Sequence, residues 1–114
     1  MNMNISQRTK SGVTIVDVQG QLTMGAAADR FRQFIECQGA QQLLINLRGI
    51  TYLDSSGLGE LVTASQRITE AGGVVKLVNA NRRISDLLLV AKLYSIFENF
   101  DDEKDALATF DRAA

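Results

Sequence analysis

Segments typical of strands alternate with segments typical of helices along most of this chain. Residues 13–18 are rich in β-branched side chains, whereas residues 43–47 and 74–78 are short apolar runs without a helical period. Apolar runs of this kind favour strands that are covered on both faces or lie in the middle of a sheet, and residues 43–47 are expected to form the central strand. Because strands and helices alternate, we expect an α/β fold in which right-handed helical crossovers join parallel strands.

A hairpin is expected at the N-terminus. Residues 3–8 alternate weakly between apolar and polar, residues 10–12 (Lys-Ser-Gly) supply a turn, and residues 13–18 form the second strand, which Gly20 is expected to end. Hairpin strands are antiparallel and the later strands are parallel, so the predicted sheet is mixed.

The spacing of apolar residues predicts four helices. The first ends near Gly39, the second follows a loop at residues 50–57 and ends at residues 71–73, the third starts at residues 79–81, and the last is capped by Asp102. The positions that define them are Ala27, Phe31, Phe34 and Ile35; Leu58, Leu61, Val62, Ser65 and Ile68; Ile84, Leu87, Leu88 and Ala91; and Ala106, Leu107 and Phe110.

Residues 96–100 are left as either a short edge strand or an irregular connector. The 114 residues lie in the size range of one compact domain. We therefore predict a single domain over residues 1–114, with a mixed sheet of four to five strands and about four helices.

Composition excludes several kinds of chemistry. The chain has no histidine, so it cannot form a Ser-His-Asp or Cys-His catalytic site or a His-ligated metal site. Cys37 is the only cysteine, and beside Phe34 and Ile35 it is expected to be buried. We expect no enzyme activity, no metal and no cofactor.

Charge and hydropathy narrow the class of partner. The formal net charge is -1 and no run of Lys or Arg could follow a phosphate backbone, so nucleic acid is not an expected partner. No apolar run reaches the length of a membrane span, and residues 1–7 do not resemble a secretory signal. We expect a cytoplasmic protein whose partners are not membranes.

Residues 54–59 read Asp-Ser-Ser-Gly-Leu-Gly and stand where a strand gives way to a helix. The first amides of a helix lack partners and carry partial positive charge, so a phosphate on Ser55 would be tolerated there. Alternatively, Asp54, Ser55 or Ser56 is only a helix cap. A cap explains one side chain but not two serines followed by Gly57 and Gly59, and the glycines suggest close approach by another molecule.

Residues 53–59, preceded by the strand with Asn46, resemble the signature of the STAS family, which comprises anti-sigma factor antagonists and the cytoplasmic domains of sulfate transporters. Gly20, the glycines at residues 72–73 and the strand at residues 74–78 also fall where that family has them. The resemblance covers almost the whole chain and implies a STAS-like fold.

The resemblance also implies a function. In the family's regulatory members an anti-sigma factor that is a serine kinase phosphorylates the position matching Ser55. The unmodified protein binds that anti-sigma factor and frees the sigma factor for transcription, the phosphorylated protein lets go, and a phosphatase resets the cycle. One departure is Thr23, which stands where many regulatory members have an aspartate associated with phosphorylation or partner contact.

The predicted site thus contains Ser55 for phosphorylation and a surrounding surface for partner binding. The partner-binding candidates are Asp54, Ser56, Gly57, Leu58, Gly59, Thr23, Met24 and Arg82. Arg82 is equally consistent with a solvated helix start.

Two other hypotheses remain open. One is a STAS scaffold or accessory subunit of a transport or signalling complex whose serine is never phosphorylated. The other gives Ser55 the role of a nucleophile, or residues 57–59 that of a nucleotide phosphate site. It ranks lower because no histidine activates Ser55 and residues 57–59 lack the lysine of a P-loop, although weak nucleotide binding at the helix start is kept as a hypothesis.

Overall fold

A five-stranded mixed sheet in the order β1-β2-β3-β4-β5 organises the molecule. The computed structural model describes residues 3–39, 41–93 and 97–110. The elements in chain order are β1 (Met3–Lys10), β2 (Val13–Leu22), α1 (Ala26–Glu36), β3 (Gln42–Leu53), α2 (Ser55–Glu70), β4 (Val74–Val78), α3 (Arg82–Val90), β5 (Glu98–Phe100) and α4 (Glu103–Phe110).

Strand directions match the predicted α/β fold. The hairpin strands β1 and β2 are antiparallel, whereas β2, β3, β4 and β5 are mutually parallel. Strand β3 is central, as expected for its apolar run. Strand β4 has the predicted bounds, and residues 98–100 form an edge strand, while Ile96 lies outside the described residues.

Helices cover both faces of the sheet. Helices α1, α2 and α3 pack on one face, where Phe31, Leu61 and Leu88 meet alternate strand residues such as Ile45 and Leu77. Helix α4 covers part of the other face with three buried side chains, as its spacing predicted. They are Ala106, Leu107 and Phe110.

Several predicted boundaries are wrong. Strand β2 continues past Gly20 to Leu22, and β3 continues past Leu47 to Leu53, because the two strands pair with each other over this whole length. Two register shifts absorb the irregular residues, and Gly20 has a φ of 93°. The expected loop at residues 50–57 is therefore the end of β3 followed by the first turn of α2.

Two predictions of burial and length also fail. Helix α1 ends at Glu36 rather than near Gly39, and Cys37 is exposed. The buried face of α1 follows Ala28, Phe31 and Ile35, so a residue two positions after Ile35 points away from the sheet. Similarly, α3 ends at Val90, and Ala91 is exposed.

Within the described ranges, every helix falls short of the combination of length and hydropathy that crossing a bilayer requires.

Candidate functional site

The ends of β2 and β3 lie side by side. Leu22 is opposite Leu53 in the parallel register, and the Asp54 amide donates to the Leu22 carbonyl over 3.4 Å. Strand β4 pairs with β3 only as far as Asn46, so β2 and β3 extend together beyond the rest of the sheet. The segments that follow them, residues 23–25 and 54–59, are consequently neighbours at the tip of a two-stranded extension.

The Asp54 carboxylate joins these two segments. One oxygen accepts from the Gly57 amide at 2.8 Å, which caps α2, and the other accepts from the Met24 amide at 2.9 Å. These amides, from Met24 first and then from Gly57, hold the pKa of Asp54 below its usual value. A single charged side chain therefore fixes both the start of α2 and the loop before α1.

Ser55 and Ser56 occupy the first two positions of α2. Ser55 is exposed and Ser56 is half-buried. Because Asp54 supplies the cap, capping does not account for either serine. Ser55 thus presents its hydroxyl to solvent at the positive end of a 16-residue helix.

The two glycines of the motif have different environments. Gly57 is buried, and a Cβ there would lie 2.2 Å from the Leu22 carbonyl oxygen and 2.8 Å from Leu53 Cδ1. At Gly59 a Cβ would meet nothing within 4 Å. The close approach at Gly57 is therefore made by strand β2 of this chain and not by another molecule. The prediction that Gly57 contacts a partner is wrong for this reason, because the residue is buried.

Met24, whose amide donates to the Asp54 carboxylate, is a large apolar residue with 76% of its surface accessible. Its loop is held through the backbone, because the Thr23 carbonyl accepts from the Ala28 amide at 3.0 Å and Gly25 adopts a φ of 100°. Thr23 itself is half-buried. The structure thus places Thr23 and Met24 next to Asp54, and their contact with a partner stays a prediction.

Leu58 and Arg82 are less directly part of this tip. Leu58 is half-buried and packs against the core. Arg82 is exposed at the first position of α3, whose cap Asn81 donates to the Ile50 carbonyl at 3.4 Å. Arg82 therefore lies along the side of the β2–β3 extension. Among the described residues, it forms no hydrogen bond or ion pair with residues 54–59.

The charges nearest the motif are already paired. Arg32 of α1 contacts Glu60 at 2.8 Å and Asp29 at 2.7 Å, and these acids raise the pKa of Arg32, with Asp29 the larger cause. Within residues 3–39, 41–93 and 97–110, no lysine or arginine forms an ion pair with Asp54. A phosphate on Ser55 would meet helix amides rather than a clamp of arginines.

Sequence reasoning missed a polar network on the face that α4 covers. Arg8 contacts Asp17 at 2.7 Å and Glu103 at 2.6 Å, and Asn46 donates to Asp17 at 2.7 Å. Asn79 then donates to Asn46 at 3.1 Å. Arg8 is the main cause that lowers the pKa of both Asp17 and Glu103.

This network ties β1, β2 and β3 to the start of α4. The available signal was the presence of Asp17 and Asn46 inside otherwise apolar strands. Alternation alone could not show that they share one face with Arg8 and Glu103, because that depends on pairing across the sheet.

Comparisons with known proteins identify the fold. A model of the STAS domain family matches residues 4–106. The anti-sigma F factor antagonist of Paenibacillus polymyxa is 26% identical over 110 residues, covering 94% of this chain and 94% of that protein.

Solved structures agree with that match. An anti-sigma factor antagonist from Mycobacterium paratuberculosis has a TM-score of 0.84 at 21% identity, covering 95% of this chain and 93% of that chain. The STAS domain of a SulP transporter from Vibrio cholerae has a TM-score of 0.68 at 23% identity, covering 86% and 82%. Because the family model matches most of the chain and these structures share its fold, the chain belongs to the STAS domain family.

Proposed function

We propose that this protein is a cytoplasmic anti-sigma factor antagonist without enzyme activity of its own. In its unmodified form it binds a kinase-type anti-sigma factor and so frees a sigma factor for transcription. Phosphorylation of Ser55 releases the partner, and a phosphatase restores the binding form. The observation that carries the proposal is the exposed Ser55 hydroxyl at the first position of α2, directly after the Asp54 cap.

The α2 start can hold a phosphate without a change of fold. Phosphorylation adds about -1.5 to -2 charges and three acceptors, and the first helical amides and the macrodipole favour an anion at that point. The group would also stand next to the Asp54 carboxylate, whose two amide partners keep it ionised. The extra charge would therefore repel a docked protein surface while α2 stays in place.

The loop at residues 23–25 is held in place although position 23 is a threonine and not an acid. The Met24 amide is held by Asp54, and the Thr23 carbonyl is held by Ala28. The exposed Met24 side chain, on a loop bound to the residue before Ser55, would offer an apolar contact to the same partner. Similarity to the anti-sigma F factor antagonist of Paenibacillus polymyxa supports the same kind of partner.

The test uses the kinase-type anti-sigma factors of the source organism, each purified and titrated calorimetrically with this protein. Unmodified protein and Ser55→Ala are expected to bind one of them, and Ser55→Asp is expected to bind at least tenfold more weakly. Incubation with that anti-sigma factor and ATP is expected to add one phosphate, located on Ser55 by mass spectrometry. Thr69→Ala, at an exposed position in the last turn of α2, is the control and should leave phosphate incorporation intact.

Two results would contradict the proposal. If Ser55→Asp and wild type bind the anti-sigma factor with equal affinity, phosphorylation of Ser55 does not control binding. Co-purification with a membrane transport complex, together with failure of every anti-sigma factor to bind, would favour the scaffold or accessory role instead.

A further inference from the structure

Helix α3 presents an outward face that no element in the described part of the chain covers. Leu89 is 60% exposed and Val90 is 80% exposed. Leu87 and Val90 line a shallow groove that begins at Arg82 and Arg83 on the first turn of the same helix. The outward face thus has a cationic end and an apolar end.

The two arginines stand where a helix least favours them. They occupy the first two positions of α3, where the macrodipole is positive, and the first turn contains no acid. Among the described residues neither Arg82 nor Arg83 has an ion-pair partner. Asp86, one turn later, also lines the groove and leaves it with one net positive charge from these three side chains.

We propose that this face of α3, made of Arg82, Arg83, Leu87, Leu89 and Val90, is a docking surface for an acidic amphipathic helix of a protein partner. Carboxylates of that helix would lie over the first turn of α3, where they gain from both guanidinium groups and the helix dipole. Its apolar side chains would cover the exposed leucine and valine. The charge pattern of the surface thus fixes both the chemistry and the orientation of its occupant.

The surface continues towards Ser55. Arg83 and Leu87 also line a small cleft with Tyr52 and Leu53, and Leu53 directly precedes Asp54. Tyr52 is 48% exposed. In this respect the inference rests on the proposed function, since the partner that reads Ser55 would use the α3 face as its second contact.

An anionic membrane is the less suitable occupant. Sites for anionic lipid typically carry about four to eight lysines or arginines, whereas this groove has two. Vesicles therefore form a separate arm of the test.

The first experiment needs no identified partner. Isotope-labelled protein is titrated with an amphipathic peptide of about 15 residues that has glutamates in its first two turns and leucines along one face. Saturable amide shifts confined to α3 and Tyr52 are expected, and a peptide with lysines replacing the glutamates should not produce them.

Absence of saturation at millimolar peptide, or equal shifts with the lysine peptide, would overturn the proposal. Binding to phosphatidylglycerol vesicles in place of the peptide would also overturn it.

The second experiment uses reversed charges. Arg82→Glu/Arg83→Glu is expected to weaken peptide binding about tenfold or more, because two attractive pairs become repulsive. The same change puts acids where the α3 dipole favours them, so the melting temperature should rise. Loss of binding with higher stability separates a docking role from a structural one.

The matched control is Arg48→Glu/Lys104→Glu, which changes the net charge equally at two exposed residues on the other face of the sheet. It should leave peptide affinity unchanged, and equal weakening by both double variants would show a mere effect of net charge. Val90→Ser should weaken binding about fivefold through lost apolar burial. If Val90→Ser binds the peptide as tightly as wild type, the apolar end of the surface does not contribute to binding.

The two proposals fail separately. If Ser55→Asp abolishes anti-sigma factor binding but Arg82→Glu/Arg83→Glu does not weaken it, the proposed function stands and the α3 surface is wrong as its second contact. If peptide binding at α3 is found but Ser55→Asp has no effect on any anti-sigma factor, the surface stands and the switch does not.

Discussion

Helices α2 and α3 begin in the same way and yet present different surfaces. Both follow a parallel strand, and both are capped by a side chain that accepts the amide three residues later, at 2.8 Å from Gly57 to Asp54 and at 2.9 Å from Ile84 to Asn81. After the cap, α2 continues with serines and a buried glycine, whereas α3 continues with two arginines.

The difference lies in what each cap does besides capping. Asp54 also holds the Met24 amide, so the start of α2 is joined to the loop after β2. Asn81 donates to the Ile50 carbonyl, so the start of α3 rests on the middle of the β3 extension. One local device therefore builds a closely fitted tip around Ser55 in the first case and an open cationic surface in the second.

The largest effect is expected from the two glycines of α2. Gly57→Ala should lower the free energy of unfolding by about 3 kcal/mol, because the new methyl group meets the backbone carbonyl of Leu22. Gly59→Ala should raise it by about 0.5–1 kcal/mol, because the site is open and alanine is the better helix former. Urea unfolding of both variants measures the difference, and equal effects would mean that α2 does not pack against β2 as described.

The next effect compares the two caps. Asn81→Ala should cost about 1 kcal/mol of unfolding free energy, the usual loss for an N-cap. Asp54→Ala should cost more, because the Met24 amide loses its partner as well. Thermal unfolding gives the order, and amide exchange at Met24 should accelerate only in Asp54→Ala. Faster exchange at Met24 in both variants would show that Asp54 does not specifically hold the Met24 amide.

A smaller effect concerns pH. The folded pKa of Asp54 is lowered, so its contribution to stability is present above the unfolded value of about 3.9 and is lost as pH falls through the folded value. Asp54→Asn should thus be less stable than wild type at pH 6, and the gap should narrow below about pH 4. Urea unfolding from pH 6 to pH 2 tests this, with Asn81→Asp, which adds a carboxylate cap, as the converse variant. A constant gap would show that the charge of Asp54 is not involved.

The smallest effects come from adding acids at the two helix starts. Ser55→Asp and Arg82→Glu should each raise the free energy of unfolding by about 0.3 to 1 kcal/mol at low salt, because both place negative charge at a helix N-terminus. The gain from Arg82→Glu should be the larger one, since Asp54 adjoins position 55 and opposes a second acid. One molar NaCl should remove most of both gains. A loss of stability in Ser55→Asp would mean that a phosphate there disturbs the fold.

Elements with strong apolar patterns were predictable from the sequence. Strand β4 has the predicted bounds, and the inward residues of α4 were identified from spacing alone. The ends of β2 and β3 were not predictable, because residues 47–53 contain glycine and polar side chains that are stabilised by pairing across two register shifts. Cys37 was misplaced for a related reason, since its exposure depends on where α1 ends.

The sequence by itself determined the alternation of elements and the identity of the residues at each helix start, because periodicity and capping are local properties. Tertiary structure decided which of those residues meet. Gly57 lies against β2 and the Met24 amide reaches Asp54 only because Leu22 and Leu53 end side by side. Contacts between residues about thirty positions apart follow from sheet register, and register is set by the pairing of whole strands rather than by any short segment.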